Sequence, residues 1–197
     1  MSVLRVLTVL TALVAQVFNW TAFCTSVWGK IYDDVFGDSF RSVGLWTSCP
    51  SDLVTPCYSY IGTILGFHVA IQAMACLGFL GVNFTFVAAI LRMSAAKDWR
   101  NQFHLSNGAV ALLTALFWLV AVAVFGASYR RDGRLKNAGG RLGDIGFSFW
   151  LAVMTMLVEI ILAVLFIISK KMGGSVSVNE PRNRNGVDVS ITEVDGV

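Results

Sequence analysis

Four apolar runs, over residues 4–27, 67–91, 108–128 and 147–169, decide what this chain can become. Each is long enough to cross a hydrocarbon core at about 1.5 Å of rise per residue, and none is interrupted by proline. A chain that is 56% hydrophobic and only 14% charged over 197 residues has too little polar surface to enclose these runs in a water-soluble core. The bilayer is therefore its expected solvent, and an even number of spans returns both ends to the same side. The first run starts behind Arg5 as a secretory signal does, but it is too long for one and no Ala-x-Ala site precedes the following loop. A retained anchor is expected.

The segments between the spans differ in chemistry. Residues 28–66 mix aromatic and β-branched side chains with Asp, Gly, Ser and Pro, the composition of short antiparallel strands and turns. Residues 92–107 form a polar, basic connection too short for a domain, with Lys97, Trp99 and Arg100 suited to the membrane interface. Residues 129–146 carry Gly133, Gly139, Gly140 and Gly143 among five basic residues, with Asp132 and Asp144. From residue 173 to 197 the large apolar side chains thin out, and a disordered tail on the cytoplasmic side is expected. Orientation does not follow from charge: Lys and Arg number eight on the side of the termini and seven on the other. Cys49 and Cys57 are more informative. Two cysteines eight apart can close a disulfide only in an oxidising compartment, which would place residues 28–66 outside and both termini in the cytosol.

Trp28, the run Gly44-Leu45-Trp46, Cys49, Cys57 and, three positions on, Tyr60 resemble the signature of the claudin family's first extracellular segment. Ile71-Gln72-Ala73 stands where claudins have Leu-Gln-Ala at the outer end of the second helix, and the likeness covers about residues 1–170. It implies an all-α membrane protein: a left-handed four-helix bundle whose first loop, with a strand from the second, forms a small antiparallel sheet over the outer leaflet. The residues themselves give the motif a physical sense. A disulfide from Cys49 to Cys57 would remove chain entropy worth roughly 2.5 kcal/mol from the unfolded state, useful to a sheet without a core of its own. A metal pair would need more ligands than this loop offers. Trp28 and Trp46 can pack the sheet on the helix ends with each indole N–H hydrogen-bonded.

The resemblance implies a plasma-membrane protein of cell–cell junctions that adheres and seals by associating with itself, or with related claudin-like proteins, in cis and in trans. Departures from the pattern bear on this. The motif spacings are short, Ala75 stands where many claudins have Arg, the second loop lacks the usual aromatic and Pro residues at its tip, and Tyr58 occupies the position that often selects ions. A barrier fits these departures better than a pore. Within residues 28–66, Asp33, Asp34, Asp38 and Asp52 outweigh Lys30 and Arg41, a mild bias toward cations. Tyr58 adds only a ring face, and Asp52 is the acid nearest it in sequence. Gly146-Phe147-Ser148-Phe149-Trp150 is similar to a Gly-x-Ser-Phe pattern of calcium-channel γ subunits and the peripheral myelin protein group. An auxiliary channel subunit is the alternative.

Other signals are weighed against plainer readings. Glu159 lies 11 residues before Lys170, roughly 16 Å along a helix and near mid-membrane. With no basic residue deep in another span, it reads as a protonated interhelical hydrogen bonder. The sequons at Asn19 and Asn83 fall inside spans, out of reach of glycosylation, and Cys24 and Cys76 read as buried apolar residues. Gly62 and Gly66, and Ala123 and Ala127, have the spacing of close helix contacts. His68 and His104 are a span apart and no catalytic motif appears, so neither an enzyme nor a cofactor or metal is expected. The basic run from Arg130 to Arg141 is read as a solvated loop with no nucleic-acid partner. Asp195 and the terminal Val197 have the form of a ligand for a PDZ scaffold, bound by strand addition.

Overall fold

The computed structural model describes residues 3–33, 40–51, 56–59, 66–94, 97–131 and 140–174. Four helices carry the apolar runs: α1 (Val3–Cys24), α2 (Gly66–Ser94), α3 (Lys97–Arg131) and α4 (Phe147–Gly174). All four are long and apolar enough to cross a membrane. They pack in a ring, α1 against α2 and α4, and α3 against α2 and α4.

The inward face of every helix repeats at alternating steps of three and four. On α1 the buried residues are Thr8, Ala12, Ala15, Asn19 and Ala22. On α2 they include Ile71, Ala75, Gly78, Val82, Thr85 and Ala89, and on α4 Ser148, Ala152, Thr155, Glu159, Leu162 and Phe166. A repeat of seven residues is slightly shorter than two turns of straight α-helix, so helices that keep it in contact coil around one another with a left hand. The polarity of these seams is the reverse of a soluble bundle. Among the described residues, ten of the buried apolar ones are alanines, while Leu10, Leu80, Phe84, Leu91, Leu116 and Ile161 are exposed on the outside. Small residues let the backbones approach, and the large side chains face lipid.

Five strands form one antiparallel sheet in the order β4-β3-β2-β1-β5. They are β1 (Gly29–Asp33), β2 (Phe40–Val43), β3 (Thr47–Pro50), β4 (Tyr58–Ser59) and β5 (Gly140–Ile145). The first four come from the segment between α1 and α2. The fifth comes from the segment between α3 and α4 and pairs with β1 from Asp33 opposite Gly140 to Gly29 opposite Ile145, with a bulge near Gly29. The sheet thus covers the end of the bundle where α1 and α3 finish and α2 and α4 begin.

Three sequence expectations change. The connection expected over 92–107 is largely helical, because α2 runs to Ser94 and α3 starts at Lys97. Its polar residues had the composition of an interfacial loop, yet Lys, Arg and Gln are also good helix formers, and no proline or glycine stops them before Gly108. Cys24 is exposed rather than buried, because it is the last residue of α1 and falls off the seam that ends at Ala22. Ala123 and Ala127 likewise sit outside the α3 seam and are exposed. The expected tail past Gly174, with Asp195 and Val197, lies outside the described residues, as do Asp52, Tyr60 and Gly62.

Candidate functional site

Trp28, Gly44, Leu45 and Trp46 converge where the sheet meets the bundle. Trp28 leaves α1 and turns back into the end of the bundle, fully buried. Its indole stacks on Trp118 of α3 with centroids 6.4 Å apart and meets the edges of Phe125 and Phe149 at 5.2 and 6.1 Å. Its Nε1–H donates to the carbonyl of Ala22 at 2.9 Å, one of the carbonyls that the last turn of α1 leaves unpaired. Trp46 repeats the arrangement one residue along: its Nε1–H donates to Phe23 at 3.1 Å while its ring meets Phe23 edge-on at 5.2 Å. The two tryptophans therefore cap the end of α1 from the sheet side.

Gly44 and Leu45 make the other half of the seat. The backbone N–H of Trp28 donates to Val43 at 2.8 Å and that of Gly44 to Thr47 at 2.9 Å, which brings Gly44 against the chain leaving α1. A Cβ at Gly44 would lie 2.5 Å from the Cα of Ser26, so no side chain fits there without moving backbone. Leu45, with no exposed surface, points into the bundle, and its carbonyl accepts from Gln72 Nε2 at 2.7 Å and lies 3.1 Å from His68 Nε2. His68 and Gln72 are one turn apart on α2 and so face the same way. Sequence reasoning noted Gln72 only as part of a resemblance and His68 only as a failed catalyst. Two polar residues four apart at the start of an apolar helix were the available signal.

On the opposite side the same closeness recurs at Gly146, where a Cβ would fall 2.0 Å from the carbonyl of Val27. The N–H of Gly146 donates to Trp28 and that of Ser148 to Val27, while the hydroxyls of Ser148 and Thr25 share a hydrogen bond of 2.6 Å. The Gly-x-Ser pattern at the start of α4 is thus a joint between α1, α4 and the sheet. Tyr129, at the end of α3, donates to the carbonyl of Lys30 in β1 and adds a fourth helix to the seat.

Farther out, the disulfide between Cys49 and Cys57 ties β3 to the start of β4. β4 is only two residues long, opposite Thr47 and Ser48, so the bond supplies what its short ladder does not. Within the hairpin, Ser42 Oγ donates to Cys49 and Ser48 Oγ donates to Ser42. Tyr58 is exposed, and the Arg41 guanidinium lies over its ring at 5.9 Å. The ring face that looked open to a passing cation already carries an intramolecular one.

A model of the PMP-22/EMP/MP20/Claudin family matches residues 1–166, a stretch that holds three helices and most of the fourth, the sheet and the whole seat. The chain belongs to this family. Membership agrees with a multi-pass membrane protein and points away from catalysis toward a structural or channel-associated role. No individual curated protein matches the chain.

Trp28, Gly44, Leu45 and Trp46 thus gather at one joint, and Glu159 is apart from it. It sits in the α4 seam with no exposed surface and accepts from Thr85 Oγ1 of α2 at 3.0 Å, an interhelical bond across the ring. Nearer the sheet, Gln16 Nε2 of α1 donates to Asn83 Oδ1 of α2 at 2.6 Å. Among the described residues no group of three potential metal ligands occurs.

Proposed function

We propose that this chain is a claudin-like protein of cell–cell contacts, which contributes to adhesion and to a paracellular barrier by associating side by side and across the gap. The sheet faces outside the cell and both termini face the cytosol. The observation that carries this reading is the seat: the sheet is covalently braced and joined to all four helices, so force or contact on it is transmitted to the bundle rather than absorbed by a hinge. Such rigidity lowers the ordering cost when two sheets meet.

A barrier is favoured over a selective pore. Arg41 over Tyr58 offsets the mild acidity of the first loop at the position where claudins often select ions. Membrane lipid surrounds the bundle, a PDZ scaffold would take the terminal Val197, and no nucleic acid is involved. A tagged copy expressed in polarised epithelium should concentrate at cell borders and raise transepithelial resistance with little preference between sodium and chloride. Diffuse surface staining, together with a stoichiometric channel that co-purifies with the chain, would replace this reading with that of an auxiliary channel subunit.

A further inference from the structure

β1 leaves the seat at Gly29 and β2 returns to it at Val43, so the end of this hairpin that holds Asp33, Phe40 and Arg41 is the one remote from the bundle. Alternate residues of a strand share a face. Ile31 is opposite Arg41, Arg41 opposite Pro50, and Ser48 opposite Val43 and Tyr58, which puts all six on one face of the sheet. Near the seat that face is covered, since Val43 and Ser48 are buried, while farther out Arg41 and Tyr58 are exposed. Asp33 stands two places beyond Ile31 in β1, which gives it a position on the same face, diagonal to Arg41.

Diagonal neighbours on a sheet lie about 7–8 Å apart, within the reach of an arginine. Arg41 turns the other way, with its guanidinium 5.9 Å over the Tyr58 ring on β4. The ring face holds the cation without taking its N–H donors, and among the described residues no carboxylate pairs with it. Arginine and tyrosine are the side chains on which binding energy concentrates, and a cation already held on a ring loses little freedom when a partner arrives. The connection that follows Asp33 adds Asp34 and Asp38. A surface with a held cation beside acids is complementary to itself, because a two-fold axis midway between Arg41 and Asp33 sets each against the other in a facing copy. We propose that this face is the contact with a second copy of the chain across the intercellular gap, Arg41 of each copy meeting Asp33 of the other. It rests on the adhesive reading above and names the residues that would carry it.

The test expresses the full chain in suspended cells that form no junctions of their own and reads how fast cells of two colours join. Arg41→Glu leaves only acids at the contact and Asp33→Arg only cations, so each variant should join its own kind about tenfold more slowly than the unaltered chain. Arg41→Glu cells mixed with Asp33→Arg cells should regain the original rate, because every contact then pairs unlike charges. Lys30→Glu and Asp144→Arg make the same charge changes elsewhere on the sheet and should leave the rate unchanged. Surface biotinylation checks that each variant is delivered. Should the charge reversals fail to reach the surface, Arg41→Gln supplies the reading, slowing joining roughly threefold as loss of an exposed ion pair does. Failure to regain the rate on mixing, or equal loss and recovery with the Lys30 and Asp144 variants, would overturn this contact while adhesion stands. Joining that disappears when acidic glycans are stripped from the cells would replace the second copy by a glycan. Cells carrying the unaltered chain that do not join at all would remove the adhesive reading and this contact with it.

Discussion

Trp28 and Trp118 stack on one another, yet they belong to two kinds of structure. Trp28 belongs to the seat of the sheet, where the indole N–H has its acceptor, Gly44 and Gly146 press against backbone, and Leu45 has its carbonyl met by two side chains. Trp118 belongs to the bundle interior, where its Nε1–H is buried and makes no hydrogen bond among the described residues, and where Gln16, Asn19 and Glu159 each leave an oxygen without one. The seat is specified by direction and the bundle by shape. A joint between a strand and a helix end must satisfy loose backbone groups, whereas helices have already satisfied their own and need only fit.

The largest expected effect tests this directly. Trp28→Ala removes the ring that fills the end of the bundle together with the cap on Ala22, and should cost about 4 kcal/mol, read as unfolding of the purified protein and as loss of surface delivery in cells. Next comes the brace. Cys49→Ser or Cys57→Ser should cost roughly 2.5 kcal/mol, with the loss confined to the outer strands, so that exchange of backbone amides accelerates in β3 and β4 while the helices stay protected.

A finer comparison separates the two tryptophans. Phe in place of either removes an N–H and some volume, but only at Trp28 does the lost N–H have a partner. Trp28→Phe should therefore be less stable than Trp118→Phe by about 1 kcal/mol. Equal losses would mean that the seat too is held by shape alone. The smallest effect belongs to the bundle's polar seam. Thr85→Val removes the bond to Glu159, and buried interhelical hydrogen bonds in membranes are worth on average about 0.6 kcal/mol. A loss several times larger would show that the seam, and not packing, sets the stability of the bundle.

The two regions were also unequally legible in the sequence. The seat was readable because its residue types are costly elsewhere: Trp28 and Trp46 beside paired cysteines, and Gly44 and Gly146 where no side chain fits, stand out in a polar segment. The existence and approximate extent of the spans followed from apolarity alone. Their inward faces did not, because alanine inside and leucine outside are both apolar, and the contrast that reveals a soluble helix is absent. The helical start of α3 was missed because the polar residues of 97–107 suit an interfacial loop and a helix equally. The cation over Tyr58 was invisible for another reason. Arg41 and Tyr58 are 17 positions apart and meet only through the pairing of β2, β3 and β4.

The central claim, a disulfide-braced sheet on the outer side of the membrane, is open to one direct measurement. In a background carrying Cys24→Ser and Cys76→Ser, which removes the exposed thiol at the end of α1 as well as the one in α2, intact cells are treated with a membrane-impermeant maleimide before and after a membrane-impermeant reductant. No labelling before reduction and labelling of both Cys49 and Cys57 after it is the predicted result. Labelling without reductant would contradict the bond, and labelling that requires permeabilised cells would contradict the orientation.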